Sequence, residues 1–263
     1  MRIWFVVLMG VIGAAVGSFL CCQARRLRLK ELGKKKLGAR SVCMYCKKQL
    51  RWHENLPVIS WVLQKGRCRC CGKKIGVAEI LAEVLTGLAC VAVAVPFDFE
   101  SAGGIEWAIW VANLMLVFLL VFLAIYDGLY GELPSLCLTF SVVCAIMVLI
   151  LRIWSLFSVS QFDFGVLAGM VGSGVVLGGL YLTLYLVSGG KWVGDGDWIL
   201  ALAIGLALAK PFLALVALFI ANFLASIVMA PQALKKGKKK IFFGPFLVAA
   251  FVITLALYDI IVI

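Results

Sequence analysis

The sequence predicts an all-α polytopic membrane protein of about eight transmembrane helices, with a cytoplasmic zinc-binding loop between the first two. Three observations carry that prediction. Of 263 residues, 64% are hydrophobic and only 14% are charged, a balance outside that of soluble globular domains. The net charge of +12 is concentrated in two blocks. Four cysteines in the larger block are paired as two C-x2-C knuckles.

Apolar runs approaching the roughly 20 residues needed to cross a bilayer fall at about 3–22, 77–97, 105–126, 133–157, 164–188, 197–210, 211–230 and 241–262. The sixth and seventh are separated only by Lys210-Pro211, so this pair is the least sharply bounded. Residues 1–22 read as a retained span, because the apolar stretch is long, a basic block follows it, and no small-residue cleavage site is evident. Lys and Arg occur sixteen times between Arg25 and Lys74, and Lys235, Lys236, Lys238, Lys239 and Lys240 form the second block. An excess of such residues marks cytoplasmic loops. If the first span runs inward, alternation of eight spans puts both blocks inside, and places loop 98–104, with Asp98, Glu100 and no base, outside. The organisation expected is a first transmembrane helix at 1–22, a basic zinc-binding loop at 23–76 and a transmembrane core at 77–263.

The same alternation brings two acids to the cytoplasmic face. Asp127 lies at the end of the third span, in AIYDGLYGELPS, and Asp197 opens the sixth, in VGDGDWIL. A carboxylate at membrane depth costs some ~2.5–3.5 kcal/mol at the helix centre and is a functional candidate when it faces the protein interior. Each acid alone has a plainer reading, as an interfacial charge or as a favourable charge at a helix start. A pair at one depth changes that, because two close carboxylates share a proton, one serving as base on a water and the other as acid. Gly194 and Gly196 remove side chains beside Asp197 and suit the approach of an extended peptide. Asp195 lies in the preceding loop and reads as a cap or a solvated residue.

In the first loop, twenty-one residues separate Cys43 and Cys46 from Cys68 and Cys71. Four thiolates so spaced make a closed tetrahedral zinc site of structural type. Cys70 offers a competing C-x-C pairing and His53 a conceivable ligand, and both stay open. Cys21, Cys22, Cys90, Cys137 and Cys144 lie in or beside apolar spans and read as small hydrophobes. The basic loop needs no nucleic-acid partner, since an anionic lipid leaflet accounts for it. Glu54 and Glu83 read as interfacial charges.

These pieces together resemble the type IV prepilin leader peptidase (prepilin peptidase/N-methyltransferase) family of glycine-x-glycine-aspartate membrane aspartic proteases. The matching stretches are GSFL at 17–20, the knuckles flanking RWHENLPVISW at 51–61, EILAEVLTG at 79–87, YDGLYGELPS around Asp127, GDGD ending at Asp197, and FGPFL at 243–247. The resemblance implies removal of a basic leader from type IV prepilins and pseudopilins at the cytoplasmic face of the inner membrane. It implies catalytic roles for Asp127 and Asp197 and zinc ligation by Cys43, Cys46, Cys68 and Cys71. It also implies methylation of the new amino terminus by S-adenosylmethionine, although no glycine-rich nucleotide-binding turn is visible in the chain. Three positions depart from the family pattern: Cys21 where Asn is usual, Ser135 in place of Asp, and Ile199 where Lys is common. A proton- or cation-coupled transporter using the two aspartates, and a zinc-loop membrane adaptor, are the competing readings.

Overall fold

The structure is a computed structural model that describes residues 2–33, 41–43, 45–158, 163–233 and 242–257. Lys235, Lys236, Lys238, Lys239 and Lys240 lie outside the described residues. Among the described residues the regular structure is helical: α1 (Arg2–Glu31), a 3-10 turn (Trp52–Asn55), α2 (Ile59–Leu63), α3 (Val77–Ala94), α4 (Gly104–Tyr130), α5 (Ser135–Ser158), α6 (Phe164–Ser188), α7 (Asp197–Leu208), α8 (Pro211–Ala233) and α9 (Gly244–Ala256). Six of these are long and apolar enough to cross a membrane: α1, α3, α4, α5, α6 and the Pro211–Val228 stretch of α8. The remaining two expected spans are shorter apolar helices. The 12 residues of α7 reach about 18 Å at 1.5 Å per residue, against roughly 30 Å of hydrocarbon. Its end is set locally: Ala209 takes a left-handed conformation (φ 54°) and Pro211 opens α8, where a missing N–H costs nothing.

The chain divides into two compact units, Met1–Ala94 and Val95–Ile263. In the first, α1 and α3 run antiparallel at very short range. A Cβ on Gly13 would lie 2.7 Å from the Cys90 Sγ, and one on Gly17 would lie 2.5 Å from the Ala82 carbonyl oxygen. Small residues let helix backbones close where lipid supplies no hydrophobic drive to association. The loop between them forms two small hairpins, marked by bridges pairing Val42 with Gln49 and Arg67 with Lys74.

In the second unit α6 and α7 are packed in the same way. A Cβ on Gly205 would stand 2.5 Å from the Ser173 carbonyl oxygen, and Gly174 and Gly178 are filled by Leu206 and Leu202. The Ser173 hydroxyl donates to the Gly205 carbonyl at 2.7 Å, tying the helices with a polar contact as well. Of these glycines, Gly174 and Gly178 serve close helix packing, whereas Gly172 faces open space.

Candidate functional site

Both acids are buried: Asp127 is 5% exposed and Asp197 is 6% exposed. Asp127 sits in the last turn of α4, which Gly131 ends in a left-handed conformation (φ 68°) with its N–H on the Asp127 carbonyl at 2.7 Å. That cap admits only glycine for a second reason, since a Cβ there would fall 2.1 Å from the Phe242 ring. Asp197 is the first residue of α7. The ends that carry these residues converge: Gly131 meets Phe242 just before α9, Gly196 meets Leu133 and Leu138 at the start of α5, and Gly244 at the start of α9 meets Asp127.

Each carboxylate accepts a backbone hydrogen bond from a glycine. Asp127 Oδ2 receives the Gly244 N–H at 3.1 Å, and Asp197 Oδ2 receives the Gly194 N–H at 2.9 Å. A Cβ on Gly244 would approach Asp127 Oδ2 to 2.8 Å, and one on Gly194 would approach Asp197 Oδ2 to 3.3 Å. The space left by Gly196 is filled by Leu133 and Leu138, so that glycine serves helix packing and not the approach of a peptide. Asp195 is exposed.

The four knuckle cysteines come together as expected. The Sγ atoms of Cys43, Cys46, Cys68 and Cys71 all lie within 4.8 Å of one another, and those of Cys43 and Cys71 are 3.9 Å apart. Zinc–sulfur bonds of ~2.3 Å in a tetrahedron require sulfurs about 3.8 Å apart, so the donor set fits a metal ion such as zinc. Cys70 and His53 stand outside the group. The two hairpins repeat one another: the N–H of Cys43 bonds the Lys48 carbonyl and that of Cys68 bonds the Lys73 carbonyl, each at 2.9 Å. The turn residues match too, with Lys47 (φ 59°) standing where the second hairpin has Gly72 (φ 67°). Backbone N–H groups of Cys71 and Cys70 aimed at Cys68 bring its thiol down to about 7. At Cys71 the Lys73 N–H acts in the same direction but is outweighed by burial and the neighbouring thiols, which push it up to about 11. A bound dication would take up the charge that four crowded sulfurs cannot hold alone.

Behind the knuckles the first unit encloses a cavity of about 180 Å³, lined among others by Cys21, Arg25, Tyr45, Trp61, Glu79 and Glu83. Arg25 pairs with Glu79. Glu83 is 9% exposed and accepts the Val58 N–H at 2.8 Å, so the reading of it as an interfacial charge gives way to a buried, hydrogen-bonded one. Its bond holds Val58 at φ 59°, a conformation unfavourable for a β-branched residue. Glu54 caps the 3-10 turn by accepting the Arg51 N–H at 2.9 Å, which holds its carboxyl below the ordinary range. Among the described residues, Glu79 Oε2 and Trp61 Nε1 are buried without a hydrogen bond, which leaves an acceptor and a donor for a ligand.

The class defined so far is a polytopic helical membrane protein with two buried acids at helix ends and a separate four-thiol centre. Comparison with known proteins sharpens it. The model of the bacterial peptidase A24 N-terminal domain matches residues 11–97. A prepilin leader peptidase/N-methyltransferase from Aeromonas hydrophila is 32% identical over 214 residues, covering 80% of this chain and 69% of the relative. One from Pectobacterium carotovorum is 29% identical over 270 residues, covering 93% and 90%. One from Myxococcus xanthus is 39% identical over 131 residues, a stretch that spans 49% of this chain and 36% of the relative. The chain belongs to the prepilin leader peptidase/N-methyltransferase family. No solved structure matches it.

Proposed function

We propose that the chain is a membrane aspartic endopeptidase that removes the basic leader from type IV prepilins and pseudopilins at the cytoplasmic membrane face, and that it also methylates the new amino terminus. The observation that carries the peptidase reading is the matched placement of Asp127 and Asp197. Both are buried at helix ends, and each accepts a glycine N–H. Relatives named for prepilin processing over most of their length support the substrate class.

In this reading the substrate's positive leader stays in the cytoplasm while its apolar stem lies in the bilayer, presenting the scissile bond at the depth of the pair. One aspartate is ionised and takes a proton from water, whose oxygen bonds to the scissile carbonyl carbon. The other, protonated, hydrogen-bonds the carbonyl oxygen as negative charge develops there. The C–N bond then breaks and the leaving amine receives a proton from the pair. The two acids titrate as a unit, and the proton they share belongs to both.

Zinc is the metal proposed for Cys43, Cys46, Cys68 and Cys71, in a structural role, since all four positions are filled by protein sulfur. S-adenosylmethionine is the proposed methyl donor, and when bound it supplies an electrophilic methyl group. The cavity of the first unit is the proposed place for it. Trp61 and Tyr45 offer aromatic surface, Arg25 suits the donor's carboxylate, and Glu79 and Glu83 suit its positive charge.

The test is incubation of the purified full chain in detergent with a peptide carrying a basic leader, a glycine and an apolar helix. Mass spectrometry should show cleavage after the glycine, with a one-methyl mass gain when S-adenosylmethionine is added. An intact peptide from folded, zinc-loaded protein would contradict the peptidase reading. Cleavage without the mass gain would contradict only the methyl transfer.

A further inference from the structure

Tyr181 of α6 is the buried group that the mechanism above leaves unused. It is 2% exposed, and among the described residues its buried hydroxyl makes no well-formed hydrogen bond. A buried hydroxyl short of a good partner is costly, and a phenylalanine of the same shape would avoid that cost. Asn222 of α8 comes near the hydroxyl at a geometry short of a full hydrogen bond, and gives one Nδ2–H to the Leu218 carbonyl at 2.8 Å.

The helix register fixes where this hydroxyl stands. Gly174 packs on Leu206 and Gly178 packs on Leu202, so four residues forward along α6 correspond to four residues back along α7. One further turn brings Tyr181 level with Trp198 and Asp197. On its other side the ring lies 5.5 Å from the ring of Phe243, the residue before Gly244, whose N–H holds Asp127. Tyr181 thus stands between the peptide that fixes one acid and the carboxylate of the other. Packing on two sides holds it there.

We propose that Tyr181 is a third catalytic group of the peptidase site, its hydroxyl donating a hydrogen bond to the scissile carbonyl oxygen as that oxygen gains negative charge. A donor already fixed in a water-poor site stabilises developing charge without having to reorganise, and a phenol is a donor at any pH at which the aspartate pair works. This inference rests on the peptidase reading of Asp127 and Asp197.

The experiment measures kcat and KM for cleavage of a prepilin-like peptide by the full chain in detergent, comparing wild type with Tyr181→Phe, Tyr181→Leu, Asp127→Ala and Asp197→Ala, alongside thermal melting of each. Tyr181→Phe keeps the ring on Phe243, and should lower kcat about 10²-fold with KM near wild type and a melting temperature at or above it. Tyr181→Leu removes the ring as well and should lose thermal stability in addition. A Tyr181→Phe enzyme with wild-type kcat, while both aspartate variants are inert, would overturn the tyrosine assignment and leave the acid pair standing. The same holds if Tyr181→Phe melts as early as Tyr181→Leu and its loss lies in KM, the signature of packing alone. Activity retained in Asp127→Ala or Asp197→Ala would remove the acid pair, and the tyrosine assignment with it.

Discussion

The four-thiol centre and the acid pair are both polar centres in an apolar chain, yet they are assembled in opposite ways. The thiol centre is two copies of one short hairpin, each making its own backbone hydrogen bonds within six residues of chain. The acid pair depends on helix ends drawn from across the second unit, and the hydrogen bond that holds Asp127 comes from a residue 117 positions away. A locally built centre can fail without disturbing structure elsewhere in the chain. A centre built from distant helix ends has no such independence, so small changes in its surroundings should reach the chemistry.

The largest effect expected is on the acids themselves: Asp127→Ala or Asp197→Ala should reduce cleavage by at least about 10³-fold with expression and folding intact. Measured turnover settles it, and a single variant with near-normal cleavage would remove that residue from the pair. Next is Gly244→Ala, whose Cβ would press to 2.8 Å on Asp127 Oδ2. It should cost about 10- to 100-fold in kcat by displacing the carboxylate. Gly128→Ala is the control, because its Cβ meets Pro245 at an ordinary 3.8 Å, and it should stay near wild type. Equal activity of the two variants would show that the Gly244 contact does not position Asp127.

The thiol centre should respond differently. Replacing Cys43 or Cys68 with Ser should abolish bound zinc, read by metal analysis, and open residues 41–76 to protease while peptide cleavage persists. Folded, active wild-type protein with no zinc would contradict the metal assignment. The smallest effect concerns packing alone. Gly205→Ala sets a Cβ 2.5 Å from the Ser173 carbonyl oxygen and should destabilise by about 1–3 kcal/mol. Gly172→Ala meets nothing within 4 Å and should raise the melting temperature slightly, if it shifts it at all. The order of the two melting temperatures is the check.

The same contrast governs what could be read from the sequence. Cys43, Cys46, Cys68 and Cys71 are legible because a knuckle is defined by spacing within a few residues, and their cluster forms as the spacing implies. The spans are legible because they are long apolar runs. The exception is α7, where composition gives no length and the stop at Ala209 depends on local backbone conformation. Asp127 and Asp197 stand out as acids in apolar surroundings, but their glycine partners do not. Gly244 becomes informative only once α9 is laid against α4. Glu83 carried a signal in the sequence, a carboxylate inside an apolar helical run, and the hydrogen bond it accepts from the Val58 N–H offsets the cost of its burial. Tyr181 carried none, since an aromatic residue in a membrane helix is ordinary until its hydroxyl is found buried with no well-formed hydrogen bond among the described residues.

The central claim is that Asp127 and Asp197 act as one unit. The most direct test compares single-turnover cleavage by Asp127→Asn, Asp197→Asn and the double variant, all folded and in the same detergent. Groups that share one proton-transfer task are not additive, so the double variant should be no slower than either single one. Multiplying losses, with each single variant keeping substantial activity, would mean two independent acids and would contradict the shared-proton mechanism.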